Sequence, residues 1–428
     1  MGNWMRRCLA RMLVALAAMV ATGLSNQVVA QENGELVDVK NGQLHVLKMG
    51  QGPQVVIFES GFMSDLRVWQ KVAPAIAKNA QVVLYSRAGV GQSPPRKQAL
   101  NLSQHVEELK QLIDTLKVTR PVILVGHSYG GWVVRQFAAG FPQQVAALVL
   151  VDPANETLEL ELKKIDAQKV AQDQQRLASM APPQAKAGLA LVQAIFDQAR
   201  LPDSANLPDV PTVLLTSIQP ARKQPFFQET APALQVKRQL HAGLLQNLSN
   251  ASHIVTDGSG HHIQQDEPHL VVAAIEQILQ GMAFRAAKLA RQQARQKSLQ
   301  EVQQAMGKAS ALMQANQAVE ATNAVYSALK VSMLGEADIN QIGFDLLTQT
   351  KQAGLAELVL RFNVAQFPES DNALDSHGEA LLELKRPQEA KTQFLKALEL
   401  ARSQGRRSPK VMRAYEDNVE KAAQAIAL

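Results

Sequence analysis

The sequence is poor in cysteine and in aromatic residues. Its 428 residues contain one cysteine, Cys8, so no disulfide can form within the chain and no zinc site can be built from cysteines. Phe, Trp and Tyr make up 4% of the residues, and neither sign of charge dominates, since 44 Lys and Arg stand against 38 Asp and Glu. The hydrophobic fraction of 46% is close to the globular average. These values exclude a collagen-like or mainly disordered chain, and the length allows two or three domains.

The first thirty residues have the layout of an export signal. Three arginines precede an apolar run of thirteen residues, 12–24, which is followed by a polar break and by the small residues Val28 and Ala30. A membrane-spanning helix needs about 20 apolar residues, so this run predicts a signal peptide, cleaved after Ala30, and not an anchor. We therefore expect a periplasmic or secreted protein with no transmembrane segment after cleavage. Loss of the three arginines would lower the net charge from +6 to +3.

Proline divides the sequence into two halves of different character. Sixteen of the 19 prolines lie between Pro53 and Pro268, and none follows until Pro368. In the proline-rich half, helical patterns separate six short apolar runs, QVVIFES, QVVLYS, PVILVG, ALVLVD, PTVLLTS and HIVTDG. Runs that are apolar throughout suit strands buried on both faces of a parallel sheet, and strands spaced by helices imply βαβ units. The sequence therefore predicts an α/β domain over residues 31–282.

The second half is predicted to be all-α. Residues 283–335 are rich in Ala, Gln, Lys and Arg, which are strong helix formers, and predict a helical linker. Farther on, Gly343 recurs as Gly378 after 35 residues, and Ala356 recurs as Ala390 after 34. A period of 34 residues with a small residue in the first helix is typical of tetratricopeptide (TPR) repeats. We expect TPR-like repeats over 336–428, which would either bind a protein partner or form a helical array without a binding role.

The sequence around Ser128 has the pattern of a nucleophilic serine. Residues 126–130, GHSYG, fit G-x-S-x-G and stand between the strand pattern PVILV and a helical pattern. In that context the motif forms a tight nucleophile elbow, where a glycine avoids steric conflict. A serine hydroxyl needs a base to take its proton, and we predict His261, just after the strand pattern HIVTDG, with His262 as the alternative. His127 is expected to turn into the fold, away from the hydroxyl.

With these motifs, residues 35–282 resemble an α/β-hydrolase. The family has the chain order nucleophile, acid, histidine, and Ser128 and His261 stand first and last. The family carries a cap over its active site where this chain has an insertion of about fifty residues, 155–208. The resemblance implies that the apolar side chains of this insertion form mainly the core of the cap, which would shield the site from water.

The resemblance also implies an oxyanion hole. The family's first oxyanion segment usually reads His-Gly-x, and this chain has the segment 59–62, ESGF, with Ser60 in place of the histidine. The donors implied are the backbone N–H groups of Phe62 and of Tyr129, the residue after the nucleophile. Residues 86–93, SRAGVGQS, match the family's glycine-rich loop, which is ordinarily structural.

The acid that would orient the histidine is less clear from the sequence. At the position most usual in the family, after the strand PTVLLTS, there is no Asp or Glu before Glu229. An alternative family position is the end of the preceding strand, where Asp152 stands. A carboxylate would hold the imidazole in the correct tautomer and stabilise its cation. We predict Asp152 as this acid, with Glu156 as the second candidate, followed by Asp257 or no acid at all.

These features together predict an exported serine hydrolase that cleaves carboxylic esters through an acyl-enzyme. A small-molecule ester is the expected substrate, with neither a cofactor nor a metal ion. The alternatives are an amide hydrolase of the aminopeptidase type, with its amine bound near Glu156, Glu159 or Glu161, and a non-catalytic scaffold that binds partners through the repeats. The basic residues lack interleaved aromatics, so no nucleic-acid partner is expected.

Overall fold

The computed structural model describes residues 34–202, 207–223 and 226–427. The chain divides into two compact units, and the division falls between Met282 and Ala283. The predicted signal peptide, residues 1–30, and its cleavage site lie outside the described residues, as does Cys8.

The first unit is built around an eight-stranded sheet with the spatial order β1-β2-β4-β3-β5-β6-β7-β8. Its strands are β1 (Glu35–Val39), β2 (Gly42–Met49), β3 (Val55–Glu59), β4 (Gln81–Tyr85), β5 (Val122–His127), β6 (Val145–Val151), β7 (Thr212–Ser217) and β8 (Ala251–Thr256). Strands β3 to β8 are parallel to one another, whereas β1 and β2 form an antiparallel hairpin at the edge. The six apolar runs of the sequence thus form the parallel part of the sheet.

The order of the strands places the loops that follow β3 and β5 side by side. The chain proceeds from β3 to β4 on one side of the sheet and from β5 to β8 on the other. In open α/β sheets, ligands bind beyond the carboxyl ends of the strands at the point where the strand order reverses. Here this point lies between the segment 59–62 and Ser128.

Helices cover both faces of the sheet and bury a core on each. They are α1 (Ala73–Ile76), α2 (Leu102–Thr115), α3 (Tyr129–Gly140), α4 (Leu158–Met180), α5 (Pro183–Gln198), α6 (Ala231–Gly243), α7 (Ile263–Asp266) and α8 (Pro268–Gln314). One core contains Leu124 and Phe137, and the other contains Phe58, Trp69 and Ile275. Every residue of β3 and of β5 is buried, as expected for central strands of a parallel sheet.

The insertion between β6 and β7 folds into the two helices α4 and α5. Helix α4 is interrupted at Asp166, which has φ −155° and ψ 88°. The Asp166 side chain accepts a hydrogen bond of 3.0 Å from the backbone N–H of Lys169, so it caps the second part of the helix. The sequence placed the break between the helices at two prolines, and α5 indeed begins at Pro183.

Helix α8 satisfies the length and hydropathy of a membrane span, although the sequence predicted none after residue 30. Its apolar face near the start is buried in the core of the first unit through Val271, Ala274, Ile275 and Ile278. In the most apolar stretch of 18 residues in α8, 22% of the residues are buried. The packing against this core therefore covers only part of the stretch.

The second unit consists of helices packed against their neighbours in sequence. After the later part of α8 come α9 (Ala318–Val331), α10 (Glu336–Thr348), α11 (Ala353–Gln366), α12 (Asp371–Glu383), α13 (Pro387–Gln404) and α14 (Pro409–Ala427). Gly343 of α10 lies against Leu360 of α11, and Gly378 of α12 lies against Phe394 of α13. The two helical hairpins therefore have the same contact between a glycine and a large apolar side chain.

We expect Gly378→Ala to destabilise the second unit. A Cβ atom at this position would lie 2.5 Å from Cε1 of Phe394, whose side chain is fully buried. Overpacking of this kind costs about 1–3 kcal/mol, against a gain of about 1 kcal/mol in helix propensity. Gly307→Ala is the matched control, because Gly307 is exposed within α8 and a Cβ there meets no atom within 4 Å. Urea unfolding should show a loss of stability for Gly378→Ala and a small gain for Gly307→Ala, and equal gains would contradict the packing argument.

Candidate active site

Ser128 occupies a sharp turn between β5 and α3. Its backbone has φ 53° and ψ −120°, a conformation that costs a residue with a side chain about 1–3 kcal/mol. Three hydrogen bonds hold this turn: the N–H of Ser128 donates to Val151 (3.2 Å), and its carbonyl accepts from Gly131 (2.8 Å) and Ala154 (2.9 Å). A Cβ atom on Gly126 would lie 2.6 Å from the carbonyl oxygen of Gly130, so the motif needs glycine there.

The structure brings Asp152 and His261 into direct contact. Asp152 follows β6, and His261 lies in the loop after β8. Nδ1 of His261 is 2.7 Å from Oδ2 of Asp152. A hydrogen on Nδ1 can be donated to the carboxylate, which leaves Nε2 unprotonated and able to accept a proton. Both residues line the same cavity as Ser128.

Asp152 is buried and surrounded by hydrogen-bond donors. The backbone N–H of Ser217 donates to Oδ1 at 3.0 Å, while its hydroxyl donates to Oδ2 at 3.1 Å. Nζ of Lys237 lies 2.8 Å from Oδ2. Burial alone would raise the pKa of the Asp152 carboxyl, but the charge of Lys237 and the hydrogen bond with His261 hold the pKa far below its usual range. Asp152 is therefore a carboxylate at neutral pH.

The other acids considered from the sequence lie elsewhere. The Glu156 carboxylate forms two hydrogen bonds with the Arg135 guanidinium, at 2.8 and 2.9 Å, and accepts a third from Nε1 of Trp132 at 3.2 Å. The backbone carbonyl of Asp257 accepts a hydrogen bond from the Gln219 side chain. Of the three acids, the structure brings Asp152 to His261.

The neighbouring histidines also have separate environments. His127 is buried, and its Nε2 lies 2.9 Å from the backbone carbonyl oxygen of His261, so it contacts the loop that carries His261 from within the fold. Burial and the proximity of His261 hold the pKa of His127 well below its usual value. The His262 ring lies 5.2 Å from that of His127. The Asp152 carboxylate contacts the ring of His261 and not that of His262.

Phe62 and Tyr129, the predicted oxyanion-hole residues, lie beside Ser128. Both line its cavity, and their ring centroids are 6.0 Å apart. Tyr129 is the first residue of α3, so its N–H has no partner within the helix. In the described ranges, no hydrogen bond is recorded for the backbone N–H of either residue. These two groups are therefore available to a ligand.

Arg87, from the glycine-rich loop, braces the segment that leads to Phe62. Its guanidinium donates to the carbonyl oxygens of Ser60, at 2.6 Å, and of Gly61, and it forms a buried ion pair with Glu59. Burial raises the pKa of Glu59 to about 7 in spite of this partner. The guanidinium also lies 5.1 Å from the centre of the Tyr129 ring. The loop that was predicted to be structural thus supports both sides of the predicted oxyanion hole.

A cavity of about 620 Å³ opens above Ser128 and His261. Its wall on the cap side is apolar and consists of Leu158, Leu177, Met180, Leu189, Val192 and Phe196. Apolar residues of the insertion were expected mainly in the core of the cap; Val192 and Phe196 do pack against a buried core, and with Leu189 they also line the cavity. The reason is that the cap has only two helices, so one apolar face of α5 is directed to the cavity. Within the described residues, no group of three His, Cys, Asp or Glu side chains could hold a metal ion.

Sequence reasoning did not find Ser217 and Lys237 as members of the site. Ser217 is the last residue of β7, near the position where the family most often has its acid, so the end of this strand supports the carboxylate of Asp152 instead of supplying one. Lys237 lies in the middle of α6, 85 residues from Asp152 along the chain. Nothing in the local sequence distinguishes it from the other lysines of the chain.

Comparison with known proteins agrees with this fold. Residues 54–210 match the family model described as the alpha/beta hydrolase fold. The first unit has the alpha/beta hydrolase fold. The chain is similar to the uncharacterized protein YqjL of Bacillus subtilis, with 24% identity over 56% of this chain and 90% of that protein. It is also similar to the lipase LipV of Mycobacterium tuberculosis, with 39% identity over 26% of this chain and 42% of the lipase.

Two solved structures are also similar to this chain. Carboxylesterase CesB (YbfK) from Bacillus subtilis has 16% identity and a TM-score of 0.40, over 58% of this chain and 91% of the esterase. A lipase (lip1) from Acinetobacter baumannii, described as putative in its name, has 18% identity and a TM-score of 0.42, over 59% of this chain and 92% of that one.

Proposed function

We propose that this protein is an exported serine hydrolase that cleaves carboxylic esters through an acyl-enzyme. The observation that carries the proposal is the 2.7 Å contact between His261 and the buried Asp152, on the wall of a cavity that also holds Ser128. The positive φ of Ser128 supports it further, because nucleophile elbows hold their serine in such a strained turn. Export rests on the layout of residues 1–30.

In the proposed reaction, Oγ of Ser128 attacks the carbonyl carbon of the ester while Nε2 of His261 takes the hydroxyl proton. The backbone N–H groups of Phe62 and Tyr129 stabilise the negative charge on the carbonyl oxygen. His261 then gives its proton to the departing alkoxide, and the alcohol leaves an acyl-Ser128. A water molecule, deprotonated by His261, then attacks the acyl carbon. The bond to Oγ of Ser128 breaks, His261 returns the proton to that oxygen, and the acid leaves.

The environment of the glutamates favours an ester over an amide with a charged amine. An aminopeptidase needs a carboxylate that is free to bind the amine of its substrate. Glu156 is paired with Arg135, Glu159 accepts hydrogen bonds from two glutamine side chains, and Glu161 is paired with Lys164. The apolar wall of the cavity suits an acyl chain or an apolar alcohol. The lipase LipV among the relatives is consistent with such a substrate.

A substrate panel tests the proposal directly. Purified residues 31–428 should hydrolyse p-nitrophenyl esters of rising chain length faster than aminoacyl anilides, because the wall of the cavity is apolar. A fluorophosphonate should label the protein at a single site, and peptide mass mapping should place the label on Ser128. Absence of labelling would contradict a serine hydrolase, and faster cleavage of the anilides would transfer the activity to amides.

We also propose that residues 336–428 form TPR-like repeats. Support comes from the equivalent contacts Gly343–Leu360 and Gly378–Phe394, which recur with the 34- to 35-residue spacing of the sequence. A purely non-catalytic scaffold is disfavoured, because the first unit keeps the contact between Asp152 and His261 together with the cavity beside Ser128.

A further inference from the structure

Lys237 of α6 shares the carboxylate oxygen that His261 uses. Its Nζ lies 2.8 Å from Oδ2 of Asp152, while Nδ1 of His261 lies 2.7 Å from the same oxygen. Nζ also donates to Oγ of Ser217 at 3.1 Å. The side chain of Lys237 is 13% exposed, so its interaction with the carboxylate is only weakly screened by water.

This arrangement changes the charge that His261 meets when it takes a proton. In a Ser-His-Asp triad the carboxylate stabilises the imidazolium. Here Asp152 and Lys237 together carry no net charge, and the ammonium group lies on the same oxygen as the imidazole. The ammonium group of Lys237 is therefore a cation close to the imidazole, in addition to the three groups of a Ser-His-Asp triad.

The histidines around this contact are neutral near pH 7, and the charged side chains Arg222 and Glu229 line the same cavity. Burial lowers the pKa of His241, on the same helix as Lys237, to about 4, and it lowers the pKa of His127 on β5 and of His262 in the His261 loop. Burial also lowers the pKa of His253 on β8, whose ring is joined to that of His241 through the Thr216 hydroxyl. Among the described residues in contact with the Asp152 carboxylate, Lys237 supplies the fixed positive charge.

The position of Lys237 is fixed by packing. Val236, its neighbour in sequence, belongs to an apolar cluster with Leu162 and Val170 of the cap helix α4 and with Phe227. One turn farther along α6, His241 Nε2 lies 2.9 Å from the carbonyl oxygen of Pro153, the residue after Asp152. Contacts on both sides thus hold α6 against the loop that carries the acid.

We propose that Lys237 is a positioning residue that acts through Asp152 and sets the pH range of catalysis. Its charge keeps the carboxylate ionised and oriented, and it disfavours the protonated, inactive form of the site, so that activity extends to lower pH. The inference rests on the proposed hydrolase function and would deepen it: Lys237, together with the backbone N–H and the hydroxyl of Ser217, holds the acid that contacts His261.

The test is the pH dependence of kcat/KM for a p-nitrophenyl ester, measured on the full mature chain. Removing the cation makes protonation of the site easier, so Lys237→Met should move the midpoint of the acid limb upward by about one pH unit. Lys237→Arg keeps the charge and should restore a profile close to that of the wild type. Arg238→Met is the matched control, because it removes the same charge from the exposed neighbouring position of α6 and should leave the midpoint unchanged.

The possible failures are distinguishable. If the wild type neither hydrolyses esters nor reacts with a fluorophosphonate, the proposed function fails. If the wild type is active and Lys237→Met is folded but keeps the wild-type midpoint, the role of Lys237 fails while the hydrolase stands. An Arg variant that behaves like the Met variant would also overturn the charge argument. Should Lys237→Met not fold, Lys237→Gln, which retains polar hydrogens without the charge, takes its place with the same expected shift.

Discussion

Ser128→Ala is expected to lower kcat for ester hydrolysis by about 10⁶-fold. The substitution removes the nucleophile and leaves the N–H groups of Phe62 and Tyr129 and the cavity in place. A residual rate above that of water is expected from those elements alone. The fold should persist, because the hydrogen bonds that hold the turn use the backbone of Ser128 and not its hydroxyl.

His261→Ala gives the second half of this prediction. Groups that act as one unit are not additive, so the double variant Ser128→Ala/His261→Ala should be no slower than the slower single variant. His262→Ala is the control, since the Asp152 carboxylate contacts the ring of His261 and not that of His262. The measurements are kcat by stopped or continuous ester assay and the rate of fluorophosphonate labelling. An equal loss of activity for His262→Ala and His261→Ala would contradict the assignment of His261 as the base.

The parallel sheet could be predicted because its strands are apolar throughout. The runs that form β3 to β7 are buried almost throughout, so their apolar composition alone marks them, whereas β8, at the edge of the sheet, is mostly half-buried. The edge hairpin of β1 and β2 was not predicted. In β1, three of five residues are exposed, and a strand with so much exposed surface lacks a continuous apolar run.

The elbow could be predicted for a different reason, since all of its determinants are local. The strand, the glycines and the helix lie within residues 121–141, and tight turns place fixed demands on sequence. The sequence predicted Asp152 as the acid, ahead of Glu156, Asp257 or no acid, but local sequence separates Asp152 poorly from Glu156 because both follow β6 within five residues. Their different partners, His261 and Arg135, are decided by packing between elements that are distant in sequence.

The boundary between the two units shows a further limit of sequence patterns. A helical linker was predicted over residues 283–335, and the boundary between the units lies at residue 283 within α8, which runs from Pro268 to Gln314. Strong helix formers continue across the boundary, so the local sequence contains no stop signal there. The early residues of α8 belong to a core of the first unit and its later residues belong to a core of the second. Helix propensity does not show where along a helix one core ends and another begins.

Asp152→Asn is expected to lower kcat/KM by about 10⁴-fold. An asparagine has one oxygen, and Ser217, Lys237 and His261 all compete as donors for it. If the amide NH₂ faces His261, Nδ1 must accept a hydrogen bond, so the imidazole proton moves to Nε2 and the base can no longer deprotonate Ser128. The charge of Lys237 also loses its partner, so a lower free energy of unfolding is expected alongside the loss of activity.

Glu156→Gln separates this catalytic effect from a structural one. Its carboxylate is bound to Arg135 and Trp132, so the substitution should cost about 1–3 kcal/mol of stability with little change in kcat/KM below the unfolding temperature. The two variants are to be compared by fluorophosphonate labelling rate and by urea unfolding. Because each removes one carboxylate charge after the same strand, a similar loss of labelling in both would mean that general charge near β6, and not the contact with His261, supports Ser128.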